Sequence, residues 1–171
     1  MKKLMTMLGL ALVLSACGGE HRVVHVVDRP VNYVPELRSF DLLDSYDVDT
    51  RFDDHTPLAL NPYAYEGLFD IFWRANSLED FRLQLLINDS PHPDNAILVY
   101  SERCGAGHKC DQGGSLICEY SPQFTLGCGL GPDVDISPLI TRVPQEVYLL
   151  LQVCDIDSSY CEFSHYPVWM E

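Results

Sequence analysis

Cysteine is the residue of this chain with the widest chemical choice, because a thiolate can attack a carbonyl, hold a metal or join a second sulfur. Seven are present. Cys17 stands alone near the start; Cys104, Cys110, Cys118, Cys128, Cys154 and Cys161 gather in the last part of the chain. An even set of this kind in an exported protein points to disulfides. Cys104 and Cys110 bracket a glycine-rich loop, Cys118 and Cys128 flank a Ser-Pro turn, and Cys154 and Cys161 flank Asp155–Ser159. Pairing of neighbours is the simplest scheme, although sequence alone does not choose among the connectivities. A two-residue turn at Asp157-Ser158 would place Cys154 opposite Cys161, at a separation a disulfide spans. That register sets Glu162 across from apolar Val153, which counts against it. Zinc is the competing use: Cys104, His108, Cys110 and Cys118 can be drawn as a ligand set. No CxxC pair is present, and structural zinc favours such spacing.

Carboxylates are the next candidates. Between Phe40 and His55 stand Asp41, Asp44, Asp47, Asp49, Asp53 and Asp54, and crowded carboxylate oxygens suit Ca²⁺. Asp47, Asp49 and Asp53 are the weak calcium candidates. The EF-hand pattern fails, since no glycine follows Asp49 in place and no terminal glutamate closes the loop. Asp155-x-Asp157-x-Ser159 fails in the same way. Alternation of these acids with Leu, Tyr and Val fits a solvated strand or sheet edge, so no metal is expected. His21 and His25 have helical spacing, but the intervening valines favour extended chain. His55, His92, His108 and His165 are expected in loops or at strand ends, without ligand spacing. Gly113-Gly114-Ser115 lacks the nucleophile elbow, and no phosphate loop or dinucleotide fingerprint occurs. No catalytic residue is assigned, and a non-enzyme is the expectation.

The N-terminus carries the most specific pattern. Lys2 and Lys3 precede an apolar run from Leu4 to Leu14, then Ser15, Ala16 and Cys17. The run is too short for a transmembrane helix, which needs about 20 apolar residues. A basic start, an apolar stretch and small residues before the cut make a secretory signal. Leu14-Ser15-Ala16-Cys17 resembles the lipobox of bacterial lipoproteins. The resemblance covers residues 1–17 and assigns no family to the rest. It implies that residues 1–16 are a signal peptide and that Cys17, after cleavage, bears covalent lipid, palmitate included. Residues 17–38 then form a lipidated N-terminus and tether. Gly18, where inner-membrane retention would favour Asp, implies the outer membrane of the bacterial envelope. Two or more acyl chains anchor stably, so the membrane is expected as a partner through lipid alone.

From Cys17 onward the chain has 9 basic and 25 acidic side chains, a formal charge of −16. Such a chain lacks the clustered Lys and Arg that displace counterions from nucleic acid, so nucleic acid is excluded as a partner. Docking on anionic lipid is disfavoured for the same reason, and solubility is the plain account of the acidity.

The elements that must position these residues are strands. Phe69, Ile71 and Trp73 alternate with polar residues, as do Phe81, Leu83, Leu85 and Ile87. Period two marks half-buried strands, and the short link Ala75–Glu79 predicts a hairpin between them. Ile97–Tyr100 reads as a more buried strand. Ser115–Tyr120 with Gln123–Cys128 reads as a hairpin. Glu146–Cys154 is the longest apolar strand, with Tyr160–Met170 returning antiparallel. The fold class is all-β: a mainly antiparallel, Greek-key-like β-sandwich over residues 39–171, stapled by disulfides. A barrel would use the same pattern.

Tyr63, Tyr65, Tyr166 and Trp169 lie near turns or the chain end, where a sandwich presents recognition loops. Trp73 shares an apolar face and is assigned to the core; Trp169 is open to either role. The leading expectation is a membrane-anchored envelope lipoprotein with a structural or partner-binding role and no cofactor beyond its lipid. A glycan- or cell-wall-binding module is the alternative, and a periplasmic hydrolase the remote one.

Overall fold

The computed structural model describes residues 34–44, 57–105, 107, 110 and 112–171. Asn32–Glu171 form one compact unit; the other, Met1–Val31, falls outside the described residues. Cys17, the calcium candidates Asp47, Asp49 and Asp53, and His21, His25, His55 and His108 also lie outside them.

Ten strands make the described fold: β1 (Glu36–Asp44), β2 (Leu58–Leu60), β3 (Leu68–Asn76), β4 (Phe81–Asn88), β5 (Ile97–Cys104), β6 (Gly114–Tyr120), β7 (Thr125–Cys128), β8 (Val134–Asp135), β9 (Gln145–Asp155) and β10 (Cys161–Met170). They form two five-stranded sheets, in the orders β1-β3-β6-β7-β8 and β2-β10-β9-β4-β5. Every pairing is antiparallel except β2 with β10. This is the disulfide-stapled sandwich, and strands adjacent in sequence repeatedly change sheet. β1 begins at Glu36, three residues inside the span read as tether.

The period-two pattern explains the core. Phe69, Ile71, Trp73 and Ala75 on β3 face Phe81, Leu83, Leu85 and Ile87 on β4 and Val147, Leu149, Leu151 and Val153 on β9, all buried. Burying one such large side chain contributes about 1.5–3 kcal/mol, while a disulfide closing a short loop contributes at most about 2–3 kcal/mol. The apolar interior therefore outweighs the three bridges.

Three expectations are corrected. Ala75–Glu79 is not a hairpin link: β3 and β4 belong to different sheets. Both strands carry a fully apolar face, and a chain that arches between sheets brings those faces together, whereas a hairpin would set them side by side. The arch is held by Ser77, whose Oγ donates to the Glu79 carbonyl at 2.8 Å and accepts the Glu79 N–H at 3.2 Å. Ile97–Tyr100 lies on the edge strand β5, and of its four residues only Val99 is buried. His165 lies within β10, not in a loop or at a strand end.

The expected β6–β7 hairpin and the β9–β10 pairing are present, with Cys118 opposite Cys128 and Cys154 opposite Cys161. Disulfides join Cys104–Cys110, Cys118–Cys128 and Cys154–Cys161. The β9–β10 register is the one read from sequence, Glu162 across from Val153 included, but the chain bends over Ile156–Ser159 rather than at two residues alone.

Candidate recognition surface

At one end of the sandwich the chain leaves β2 and must reach β3. Asn61 organises the start of this loop. Its Oδ1 accepts the Tyr63 N–H at 2.8 Å and its carbonyl accepts the Ala64 N–H at 3.1 Å. Its Nδ2 donates to Glu171 Oε2 at 3.2 Å, while the Glu171 N–H donates to the Leu60 carbonyl at 3.0 Å. These bonds extend the parallel pairing of β2 with β10, in which Ala59 faces Trp169. The loop is thereby fixed beside the last residues of β10.

The next three residues, Tyr65, Glu66 and Gly67, all have positive φ, at 49°, 60° and 70°. For residues with a Cβ this region costs roughly 1–2 kcal/mol each, so the surroundings must enforce it. Gly67 shows how: a Cβ there would lie 2.0 Å from the Tyr120 carbonyl oxygen, so only glycine permits this approach to β6. The turn ejects its aromatics. Tyr63 is 84% exposed and Tyr65 52% exposed, with Glu66 between the turn and solvent. Beneath them Tyr120 is wholly buried, and its hydroxyl has no partner among the described residues. Burial pushes the Tyr120 phenol above its ordinary pKa, and nearby Tyr63 adds to the shift.

The aromatic surface continues along β10. By register, Glu162, Ser164, Tyr166, Val168 and Met170 point toward the core, and Phe163, His165, Pro167 and Trp169 point outward. Phe163 and Trp169 are both 37% exposed. Tyr148, two residues into the outward row of β9, meets His165 edge to face at 5.8 Å and donates its hydroxyl to Glu146 Oε1 at 2.8 Å. Glu146 stands directly across from Trp169. The result is an outward row of rings, Phe163, His165, Pro167 and Trp169, with a carboxylate and a phenol beside them.

Loop Asp89–Ala96 closes the far side of this face. Asn88 Nδ2 reaches Ser90 Oγ, the His92 carbonyl and the Asp94 carbonyl at 2.7–3.1 Å. The His92 ring lies 6.4 Å from that of Phe163, so the loop folds back over the sheet. Leu86 and Leu150 point outward by register and are nevertheless buried.

Of the aromatics singled out in the sequence, Tyr63, Tyr65 and Trp169 are exposed here, and Trp73 is buried in the core as assigned. Tyr166 is corrected: it packs against the core, because it shares the inward row of β10 with Val168. Of the drawn zinc set, Cys104 and Cys110 come together beside Glu102, but their sulfurs are bonded to each other, and Cys118 is bonded to Cys128. Sequence reading missed Phe163, His165 and Glu162. The signal was available: Glu162 falling opposite Val153 puts Phe163, His165 and Trp169 on the outward row of β10.

No protein-family model, curated protein or solved structure matches the chain. The functional reading therefore rests on residues and geometry.

Proposed function

We propose that the protein is a lipid-anchored bacterial envelope lipoprotein that acts by non-catalytic binding of an envelope partner. Cys17 carries the lipid, and the anchor places the acidic domain outside the cytoplasm, at the outer membrane. Support for export comes from three disulfides in one small domain, an arrangement that persists in oxidising compartments. The observation that carries the binding role is the strained turn Tyr65–Gly67, which leaves Tyr63 and Tyr65 largely exposed at one end of the sandwich. Strain of this kind persists where surroundings over-determine it and is concentrated at contact sites, and Tyr and Trp are the anchors that dominate interfaces.

A photo-crosslinking residue placed at position 63 in cells is expected to capture a discrete envelope component, and one at Ile117, exposed midway along β6, is expected to capture none. Equal patterns at the two positions would overturn the assignment of the surface. Labelled palmitate should enter the wild-type chain and not Cys17→Ser; unchanged incorporation would overturn the anchor.

Glycan binding is the second reading, favoured by Trp169 standing against Glu146 and Tyr148: a flat ring for a sugar face, with oxygen groups for its hydroxyls. Tryptophan fluorescence that stays constant through a titration with peptidoglycan fragments would eliminate it.

A further inference from the structure

On the outer face of the β1-β3-β6 side, the register between β1 and β3 slips once. Leu37 faces Ala75 and Ser39 faces Arg74, which leaves Arg38 as the extra residue of a bulge. A bulge re-aims the side chain it carries. This one is tied from the other sheet, because Glu162 Oε2 accepts the Leu37 N–H at 2.9 Å. Arg38, Ser39 and Arg74 then line one groove of about 620 Å³, with Asp41 further along and Phe72 exposed beside it. That size falls within the range of small-ligand clefts. Trp73 forms part of the wall, and its buried indole N–H has no acceptor among the described residues. Gly114 completes the wall, where a Cβ would sit 2.7 Å from the indole ring.

Two guanidinium groups in one groove are notable in a chain with 25 acids. Arg38 also meets Glu36 at 2.8 Å, but each is at least half exposed. Such a pair contributes about 0–1 kcal/mol, so a better-placed carboxylate can displace it. Arg74 forms no ion pair among the described residues. Planar guanidinium matches a carboxylate with two parallel hydrogen bonds. Asp41 and the strongly negative chain disfavour phosphates and polyanions. Asp41 instead supplies a partner for a cation. It is two residues along the strand from Ser39, which pairs with Arg74, so the two backbone positions are roughly 7 Å apart, about the distance between the charged ends of an extended dipeptide.

We propose that this groove binds a short zwitterionic peptide, its carboxylate on Arg38 and Arg74, its ammonium on Asp41, and its apolar side chain on Phe72. Glu162 is a positioning residue, acting through the bulge. The site is separate from the aromatic end of the sandwich, and its failure would leave the function proposed above standing.

Calorimetry on the full chain in detergent micelles tests this with alanyl-leucine as the probe. Saturable binding is expected, weakened at least about tenfold by amidation of the peptide carboxylate and likewise by Arg74→Gln, the loss of a charged hydrogen bond. N-acetylation should weaken it as well. Glu162→Ala should weaken binding and Glu162→Gln, which keeps an acceptor for the Leu37 N–H, should restore it. No saturable heat up to about 10 mM, equal affinity for the amide, or inorganic phosphate binding as well as the dipeptide would each overturn the proposal. Unchanged affinity after N-acetylation would overturn the role given to Asp41. Arg74 is exposed and leaves the core untouched, so its variant keeps the test open even if Glu162→Ala does not fold.

Discussion

Glu162 occupies the inward side of β10 opposite Val153, a position where an apolar side chain would ordinarily complete the core. Its carboxylate instead crosses between the sheets to the Leu37 N–H, beside the bulge in the edge strand β1. Replacing it by leucine should therefore destabilise the fold by about 1–3 kcal/mol, the cost of orphaning a half-buried N–H, read as a lower denaturation midpoint. Gly67 is a second residue under tight local constraint. Gly67→Ala puts a methyl group against the Tyr120 carbonyl at positive φ, and thermal melting should show a loss larger than the roughly 1 kcal/mol usual for glycine exchange. Asp155 sets a pH response. The Ser158 hydroxyl and the Asp157 N–H hold its carboxyl below the ordinary carboxylate range. A group whose folded pKa is depressed stabilises the fold above its unfolded pKa of about 3.9, and that contribution disappears as pH falls through the folded value. Asp155→Asn should accordingly flatten the acid side of a stability-versus-pH curve. Tyr100 titrates in the opposite sense: burial, with Glu102 accepting its hydroxyl proton at 2.9 Å, pushes its phenol up to about 12. Ultraviolet titration should find one tyrosine ionising near that value, and Glu102→Gln should bring it down.

At the scale of elements, the β9–β10 hairpin was the most legible part of the chain. A long apolar run, a polar turn and a cysteine on each side set the register residue by residue. The Cys154–Cys161 bond confirms that register more than it creates it, since eleven- and ten-residue strands already pair along their length. Replacing both cysteines by serine should lower stability by no more than about 2–3 kcal/mol while exchange-protected amides of β9 remain protected. The β3–β4 connection was misread for a physical reason. Period two shows that a strand has an apolar face but says nothing about whether its neighbour in sequence lies beside it or across the core from it. The β1–β3 bulge was equally invisible, because Leu37, Arg38 and Ser39 carry no local signature; its partner, Glu162, is 125 residues away. The exposed tyrosines were legible as turn aromatics, whereas the succession of left-handed residues that presents them depends on Tyr120, contributed by another strand.

For the whole molecule, the pairing of neighbouring cysteines has a direct check: intact mass should shift by the hydrogens of three disulfides on reduction, and partial proteolysis should return Cys104 with Cys110, Cys118 with Cys128 and Cys154 with Cys161. Each bridge stays within one hairpin or loop. Cys118–Cys128 lies in one sheet and Cys154–Cys161 in the other, and Cys104–Cys110 closes the end of β5 on itself. No bridge joins the two sheets among the described residues. A pull applied to the chain ahead of β1 would meet hydrogen bonds and packing first and no covalent crosslink until Cys104. Stretched in an optical trap, the domain should unravel from β1 through β4 at the same length in oxidising and reducing buffer, and only the later stretches, shortened by three small covalent rings, should lengthen when reductant is added.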